Sequence, residues 1–303
     1  MRANPEILAE RSARLAARLP ACDICPRLCR VDRRKGPLGV CRTAARARVA
    51  SCGPHFGEES PLVGFNGSGT VFFSFCSLLC VFCQNYGISH LGEGEEVSAE
   101  ELADVFLSLQ ETGCHNLNLV TPTHVTPQIV EALGVAAARG FSLPVVYNCG
   151  GYERVETLRD LEGIVDIYMP DVKFLDPDAA ARYFAAPDYP DVVRAAVREM
   201  NRQVGPLEVD RRGIALRGLL VRHLVMPGAV PDSRRVIDFL ADEIGEDVYV
   251  NLMDQYRPCG RAAGFPGIDR RTAADEWRAA RDHALARGLR RLDGERRRSR
   301  GAG

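Results

Sequence analysis

The stretch Cys76-Ser-Leu-Leu-Cys80-Val-Phe-Cys83 decides how the rest of the chain is read. Three thiols at C-x3-C-x2-C spacing follow directly on the apolar run Thr70-Val-Phe-Phe-Ser-Phe75. Gaps this short gather three sulfurs around one small volume, which suits a cuboidal 4Fe–4S cluster better than a set of disulfides. Ordinary clusters of this kind take four cysteines, and no fourth lies nearby. One iron would then keep an open coordination position for a ligand. A zinc knuckle or three packed free thiols is the plainer reading. The loop's position speaks against it, because it follows a strand where the first βα loop of a barrel belongs.

From Thr70 onward, short apolar runs alternate with helical segments, the pattern of βα units on parallel strands. The strands expected are Thr70–Phe75, Asn116–Thr121, Pro144–Asn148, Asp166–Asp171, Leu219–Met226 and Val248–Met253. Between them lie helices at Ser98–Thr112, opened by a Ser98/Glu101 capping box, at Thr126–Arg139 and at Glu153–Leu161. Others follow at Asp176–Tyr183, at Tyr189–Val204, and from a cap at Asp232 or Ser233 to Ile244. Asp210-Arg-Arg-Gly213 reads as a hairpin turn between Leu207–Val209 and Ile214–Leu216. A helix at Thr272–Arg287 and a last strand at Leu289–Leu292 finish the chain. Six repeats predict an open, partial (βα)6 TIM-like barrel, with its chemistry at the strands' C-terminal ends. The expected division is a cysteine-rich, metal-binding extension over residues 1–65, the barrel over 66–260, and a helix with a basic tail over 261–303.

In the extension, Cys22-Asp-Ile-Cys25-Pro-Arg-Leu-Cys29 is followed by Cys41 in Gly36-Pro-Leu-Gly-Val-Cys41. Four thiols with two short gaps and a Gly/Pro-rich return loop form a closed tetrathiolate set. Zinc and a second 4Fe–4S cluster would both be satisfied by it, zinc being the first reading. So short a segment has little core of its own, so bound metal would supply much of its folding free energy. Arg27, Arg30, Arg33, Arg34, Lys35, Arg42, Arg46 and Arg48 crowd the same region and would balance the charge of metal-bound thiolates. Ahead of it, Met1–Pro20 reads as a charged amphipathic helix. In the connector, His55, Glu58 and Glu59 read first as surface charges.

Net charge is −1, so nothing global points to nucleic acid. The 11 cysteines cannot all pair. Seven fall in the two tight sets, which reads as metal ligation in a reducing cytoplasm. No apolar run approaches the ~18 residues of a membrane span. Arg296, Arg297, Arg298 and Arg300 make a basic end that reads as solvated.

Polar residues gather where the strands end: Thr121-Pro-Thr-His124, Tyr147-Asn-Cys-Gly-Gly151, Asp171-Val-Lys173, Arg222-His223, and Asn251 with Asp254 and Gln255. Donors and acceptors of this kind suit amino-acid and ribose groups, and the glycines allow close backbone approach. Taken singly, His223 reads as a satisfied core residue, Asp171 with Lys173 as an ion pair, and Cys149 and Cys259 as small packed thiols.

Together, the cysteine loop, Tyr147-Asn-Cys-Gly-Gly-Tyr152, Asp166-Ile-Tyr-Met-Pro-Asp-Val-Lys173 and Leu220-Val-Arg-His-Leu-Val-Met-Pro-Gly228 resemble radical S-adenosylmethionine enzymes. The likeness is to proteins related to pyruvate formate-lyase activating enzyme, in a branch with a cysteine-rich N-terminal extension. Val120-Thr-Pro-Thr-His124 and Glu199-Met-Asn-Arg-Gln-Val204 correspond as well. The resemblance implies a 4Fe–4S cluster on Cys76, Cys80 and Cys83 with S-adenosylmethionine at its open iron. It implies cofactor contacts at Thr121, Asn148, Asp171, Lys173 and His223, and Phe82 beside the adenine. Thr121-Pro-Thr-His124 stands where activating enzymes carry a Gly-Gly-Glu run for the methionine amino group. The implied activity is reductive cleavage of S-adenosylmethionine and hydrogen abstraction, with an electron from flavodoxin or ferredoxin. The substrate would be a glycine in a partner protein, or a small molecule or nucleoside. A non-catalytic iron–sulfur or zinc protein is the alternative of another class.

Overall fold

The computed structural model describes residues 4–35 and 38–294. Met1, the Gly36-Pro37 pair and the basic end at Arg296–Arg298 and Arg300 lie outside the described residues. In chain order the regular elements begin with α1 (Pro5–Ala16), β1 (Ala47–His55), α2 (Ser60–Val63), β2 (Ser68–Phe73), β3 (Glu95–Val97), α3 (Ala99–Glu111) and β4 (Leu117–Val120). Next are α4 (Thr126–Ala138), β5 (Val145–Cys149), α5 (Val155–Asp160), β6 (Ile167–Pro170), α6 (Pro177–Phe184) and α7 (Tyr189–Val204). The chain finishes with β7 (Glu208–Val209), β8 (Ala215–Leu224), α8 (Val230–Phe239), β9 (Tyr249–Met253) and α9 (Ala274–Ala286).

Strands β2, β4, β5, β6, β8 and β9 run parallel in that order, giving the six-unit partial barrel. Leu117, Val145 and Leu119 pack outward under the helices in the main core. Val146, Ile167, Met169 and Leu220 form a second, smaller cluster with Leu62 from α2. That cluster is the barrel's inner face, since the two faces of a strand alternate.

Several expectations need correction. The connector before β2 contains the nine-residue strand β1, antiparallel to β2, with β3 antiparallel to it in turn. The hairpin's second arm and the fifth parallel strand are one continuous strand, β8, which pairs antiparallel with β7 near its start and parallel with β6 and β9 beyond. The changeover falls at Gly218, whose φ of +121° and close approach to the Pro206 carbonyl leave no room for a side chain. Asp232 and Ser233 do not cap α8; they lie in its first turn, and Pro231 at the start lets the helix begin earlier. Leu289–Leu292 is not a strand and makes only a single bridge, from Leu292 to Val250.

Candidate functional site

The loop after β2 turns sharply to present its thiols. Phe75 and Leu79 adopt φ of +68° and +55°, each immediately before a cysteine. For a residue with a side chain the left-handed region costs about 1–2 kcal/mol, so the turns persist because the surroundings fix them. The Phe75 N–H donates to the Ile88 carbonyl (2.9 Å), Val81 N–H to Tyr183 (3.0 Å) and Arg261 N–H to Val81 (2.7 Å). The Leu78 N–H points at the Cys76 sulfur (3.3 Å), and the Ser89 hydroxyl donates to Cys83 (3.2 Å). Burial pushes the Cys76 and Cys80 thiols up; Cys83 lies near enough to raise both further, and Cys76 adds to the rise of Cys80.

Beside this loop, the ends of β5, β6 and β8 form a charge network. Lys173 pairs with Asp171 at 2.5 Å, and Arg222 with Asp171 at 2.8 Å. Arg222 also donates to the Asn148 side-chain carbonyl at 2.6 Å. Burial alone would push the Asp171 carboxyl up, yet the Arg222 and Lys173 charges outweigh it and hold it at about 2. Burial would likewise lower Lys173, but Asp171 and Cys80 keep it well above the usual lysine range. Lys173 thus stands between a loop thiol and the strand-end carboxylate. Gly150 leaves space at the same point, since a Cβ there would lie 3.3 Å from Leu78 and 3.8 Å from Lys173.

The other residues expected here fall in different places. Thr121, at φ +61°, donates its N–H to the Asn148 carbonyl (2.9 Å), so strain marks this strand end too. Phe82 is enclosed by the rings of Phe174, Tyr183, Phe184 and Tyr256, with centroids 5.9–6.3 Å away, and backs the loop. His223 is buried and neutral, its pKa lowered by burial to about 4. Its Nδ1–H donates to the Val172 carbonyl (2.7 Å) while Nε2 accepts from Ser233 (2.9 Å), which leaves neither nitrogen for a ligand in this arrangement.

Three features escape sequence reasoning. Glu153 is fully enclosed beneath the β4 and β5 ends, where burial raises it to about 7 against bonds from Thr123, Tyr147 and Cys149. Glu59 is buried rather than a surface charge, and it accepts from Asn251 at 2.9 Å across the open side of the barrel. Arg27 sends its guanidinium to four carbonyls of the barrel: Ser77 (2.9 Å), Leu78 (3.3 Å), Phe184 (2.8 Å) and Ala185 (2.6 Å). The only sequence signal for this last one is its position between Cys25 and Cys29.

In the extension, Cys22, Cys29 and Cys41 all lie close enough to Cys25 to help burial push its thiol up. Leu28 at +45°, Arg30 at +56° and Arg42 at +52° repeat the left-handed turns, again each next to a cysteine. Among the described residues, no three histidine, cysteine, aspartate or glutamate side chains converge as they would on a single ion. A tetrahedral ion with bonds of about 2.3 Å to sulfur needs its ligands about 3.8 Å apart, whereas a cuboid receives its thiolates at separate corners. The loop at Cys76, Cys80 and Cys83 sets a main-chain donor on the Cys76 sulfur and a hydroxyl donor on the Cys83 sulfur, contacts of the kind a thiolate ligand accepts.

No helix among the described residues is long and apolar enough to cross a membrane. The chain is 28% identical over 265 residues to the uncharacterized protein MJ0674 of Methanocaldococcus jannaschii, covering 84% of this chain and 71% of that one. Among solved structures, SuiB of Streptococcus suis bound to S-adenosylmethionine aligns at a TM-score of 0.48 and 10% identity, over 73% of this chain and 47% of that one. SuiB bound to its precursor peptide SuiA aligns at 0.47 and 12%, over 70% and 43%. The chain therefore spans less than half the length of those structures. Residues 70–244 match the model of the Radical SAM superfamily. That match runs from the first parallel strand to the end of the helical segment after the fifth and contains Cys76, Cys80 and Cys83: the chain belongs to the radical SAM superfamily.

Proposed function

We propose that the chain binds a 4Fe–4S cluster at Cys76, Cys80 and Cys83 and S-adenosylmethionine at the adjoining strand ends, and abstracts a hydrogen atom from its substrate. When bound and reduced by one electron from a flavodoxin or ferredoxin, these groups supply a 5′-deoxyadenosyl radical, with methionine as the other product. The observation that carries the reading is the network of Lys173, Asp171, Arg222 and Asn148 at the strand ends, with Lys173 near enough to the Cys80 thiol for the two charges to act on each other. Lys173 and the N–H donors on Cys76 stabilise thiolate charge. Asn148 and Asp171 are held in fixed orientation by Arg222, ready to bind the amino-acid and ribose groups of the cofactor. Buried Leu78, Val81 and Phe82 keep water from the loop's inner side. A metal centre on Cys22, Cys25, Cys29 and Cys41 belongs to the same proposal.

The substrate class follows from the resemblance to activating enzymes: a glycine α-hydrogen in a partner protein. In the extension Arg27 and Arg33 are turned inward onto carbonyls, while Arg30, Arg34, Arg42 and Arg46 stay exposed and leave a basic face for an acidic partner surface. A small polar substrate is the second reading. It is favoured by Asn118, whose side-chain amide faces the barrel interior with no partner, and by Glu59, one carboxylate oxygen of which is also unpartnered.

The test is anaerobic reconstitution followed by dithionite and S-adenosylmethionine. 5′-Deoxyadenosine should form, and its absence from fully loaded protein would remove the enzyme reading. A glycyl-radical doublet in electron paramagnetic resonance, seen only with a candidate protein partner present, would select the first substrate class.

A further inference from the structure

The two cysteine sets share a backbone signature. Among the described residues, seven non-glycine residues sit in the left-handed region, and five of them adjoin a cysteine: Leu28, Arg30, Arg42, Phe75 and Leu79. In both sets a leucine in this conformation precedes a cysteine, Leu28 before Cys29 and Leu79 before Cys80. Main-chain N–H groups also meet sulfur in both, Val40 at Cys29 (3.4 Å) and Leu78 at Cys76 (3.3 Å). Around the first set the chain folds back on itself, with Cys22 N–H to Val31 (2.9 Å), Arg30 N–H to Cys22 (2.8 Å), Leu28 N–H to Cys25 (3.1 Å) and Arg42 N–H to Gly39 (2.9 Å). Gly39 lies against Cys29, where a Cβ would stand 2.8 Å from the sulfur. Three of the four cysteines are buried. The thiols of Cys22, Cys29 and Cys41 all lie close to that of Cys25.

We propose that Cys22, Cys25, Cys29 and Cys41 hold a 4Fe–4S cluster of their own, and that Arg27 fastens this centre to the loop bearing Cys76, Cys80 and Cys83. Arg27 has two ends. Its main chain lies two residues after Cys25, and its guanidinium grips the carbonyls of Ser77 and Leu78 beside Cys76. Leu78 in turn gives its N–H to the Cys76 sulfur. Arg27 and Leu78 therefore lead from the segment between Cys25 and Cys29 to a sulfur of the other set. Arg33 adds a second tie, donating to the His124 carbonyl (2.7 Å) at the end of β4. With four protein thiolates the N-terminal cluster has no open iron, so its role is to order the extension and hold the active loop. The fastening rests on the proposed function of that loop; the second cluster itself does not.

The test separates the two. In a Cys76→Ala/Cys80→Ala/Cys83→Ala variant, reconstituted without oxygen, metal and sulfide analysis should find about four iron and four sulfide per chain and no zinc. One zinc without iron, or no stoichiometric metal, would overturn the assignment whatever the active loop does. Further replacement of Cys25 and Cys41 by serine should abolish the iron content of that variant. Fastening is read in Arg27→Met with both cysteine sets intact. The reduced active-loop cluster should change its paramagnetic resonance line shape and respond more weakly to added S-adenosylmethionine, while total iron stays near wild type. An unchanged signal in fully loaded R27M would overturn the role of Arg27.

Discussion

The hydroxyl of Thr123 donates to the carboxyl of Glu153 at 2.5 Å, deep under the strand ends, and so ties the close of β4 to the turn after β5. Burial raises the folded pKa of Glu153 from 4.5 to about 7. The folded state therefore binds a proton that the unfolded chain releases across this window, and stability falls as pH rises through it. The whole effect is about 3 kcal/mol. Denaturant midpoints measured at about pH 5 and about pH 8 should show this loss in the wild type. Glu153→Gln should flatten it; an equal slope in both proteins would exclude Glu153 as its source.

Cys80→Ala should abolish 5′-deoxyadenosine formation while the protein remains folded, because the surrounding aromatic nest does not depend on the thiol. Cys22→Ala should act earlier, lowering the yield of soluble protein, since the extension's own core is small. Chromatographic product assay and recovery after size exclusion read the two effects apart.

Asp171 and Arg222 form a part-buried pair at 2.8 Å, and Lys173 shares the same carboxylate. Arg222→Met leaves Asp171 with Lys173 as its remaining charge partner, so the change should cost less than the ~3–5 kcal/mol of a buried pair broken outright. Asp171→Asn with Arg222→Met should cost clearly less than the sum of the single changes. A double-mutant cycle in urea measures the coupling; strict additivity would show that the pair does not act as a unit.

Gly151 has φ +76°, and a Cβ there would press on the Asp171 carbonyl and come within 2.7 Å of Val193. Gly151→Ala should lower the melting temperature, at about 1–3 kcal/mol, and weaken S-adenosylmethionine binding through the displaced Asp171. Calorimetry of the melting transition together with ligand titration checks both.

The six parallel strands were legible because each is a short apolar run bounded by polar residues, and α3 because Ser98 and Glu101 spell its start. β1 was not, because Cys52-Gly-Pro54 breaks any strand-like run and only its pairing with β2 makes it a strand. β8 was split in two by Arg217-Gly218, a position whose backbone is set by contact with Pro206 rather than by local preference. In the candidate site, spacing alone singles out Cys76, Cys80 and Cys83 for the proposal. The places of Arg27, Glu59 and Glu153 were not legible, because the burial of a charge is decided by partners far along the chain: Ala185 for Arg27 and Asn251 for Glu59. Phe82 and His223, which the resemblance offers as cofactor contacts, are held by neighbours on other elements that no local pattern shows.

The bent leucines ahead of Cys29 and Cys80 have a consequence for how stiffly the thiols are carried. Each of these two sulfurs sits on a tight left-handed turn rather than on slack thread. All 11 cysteines are unpaired. A disulfide needs its two Cβ atoms about 3.5–4.5 Å apart with a specific dihedral, and turns this stiff give neighbouring sulfurs little freedom to swing into that geometry.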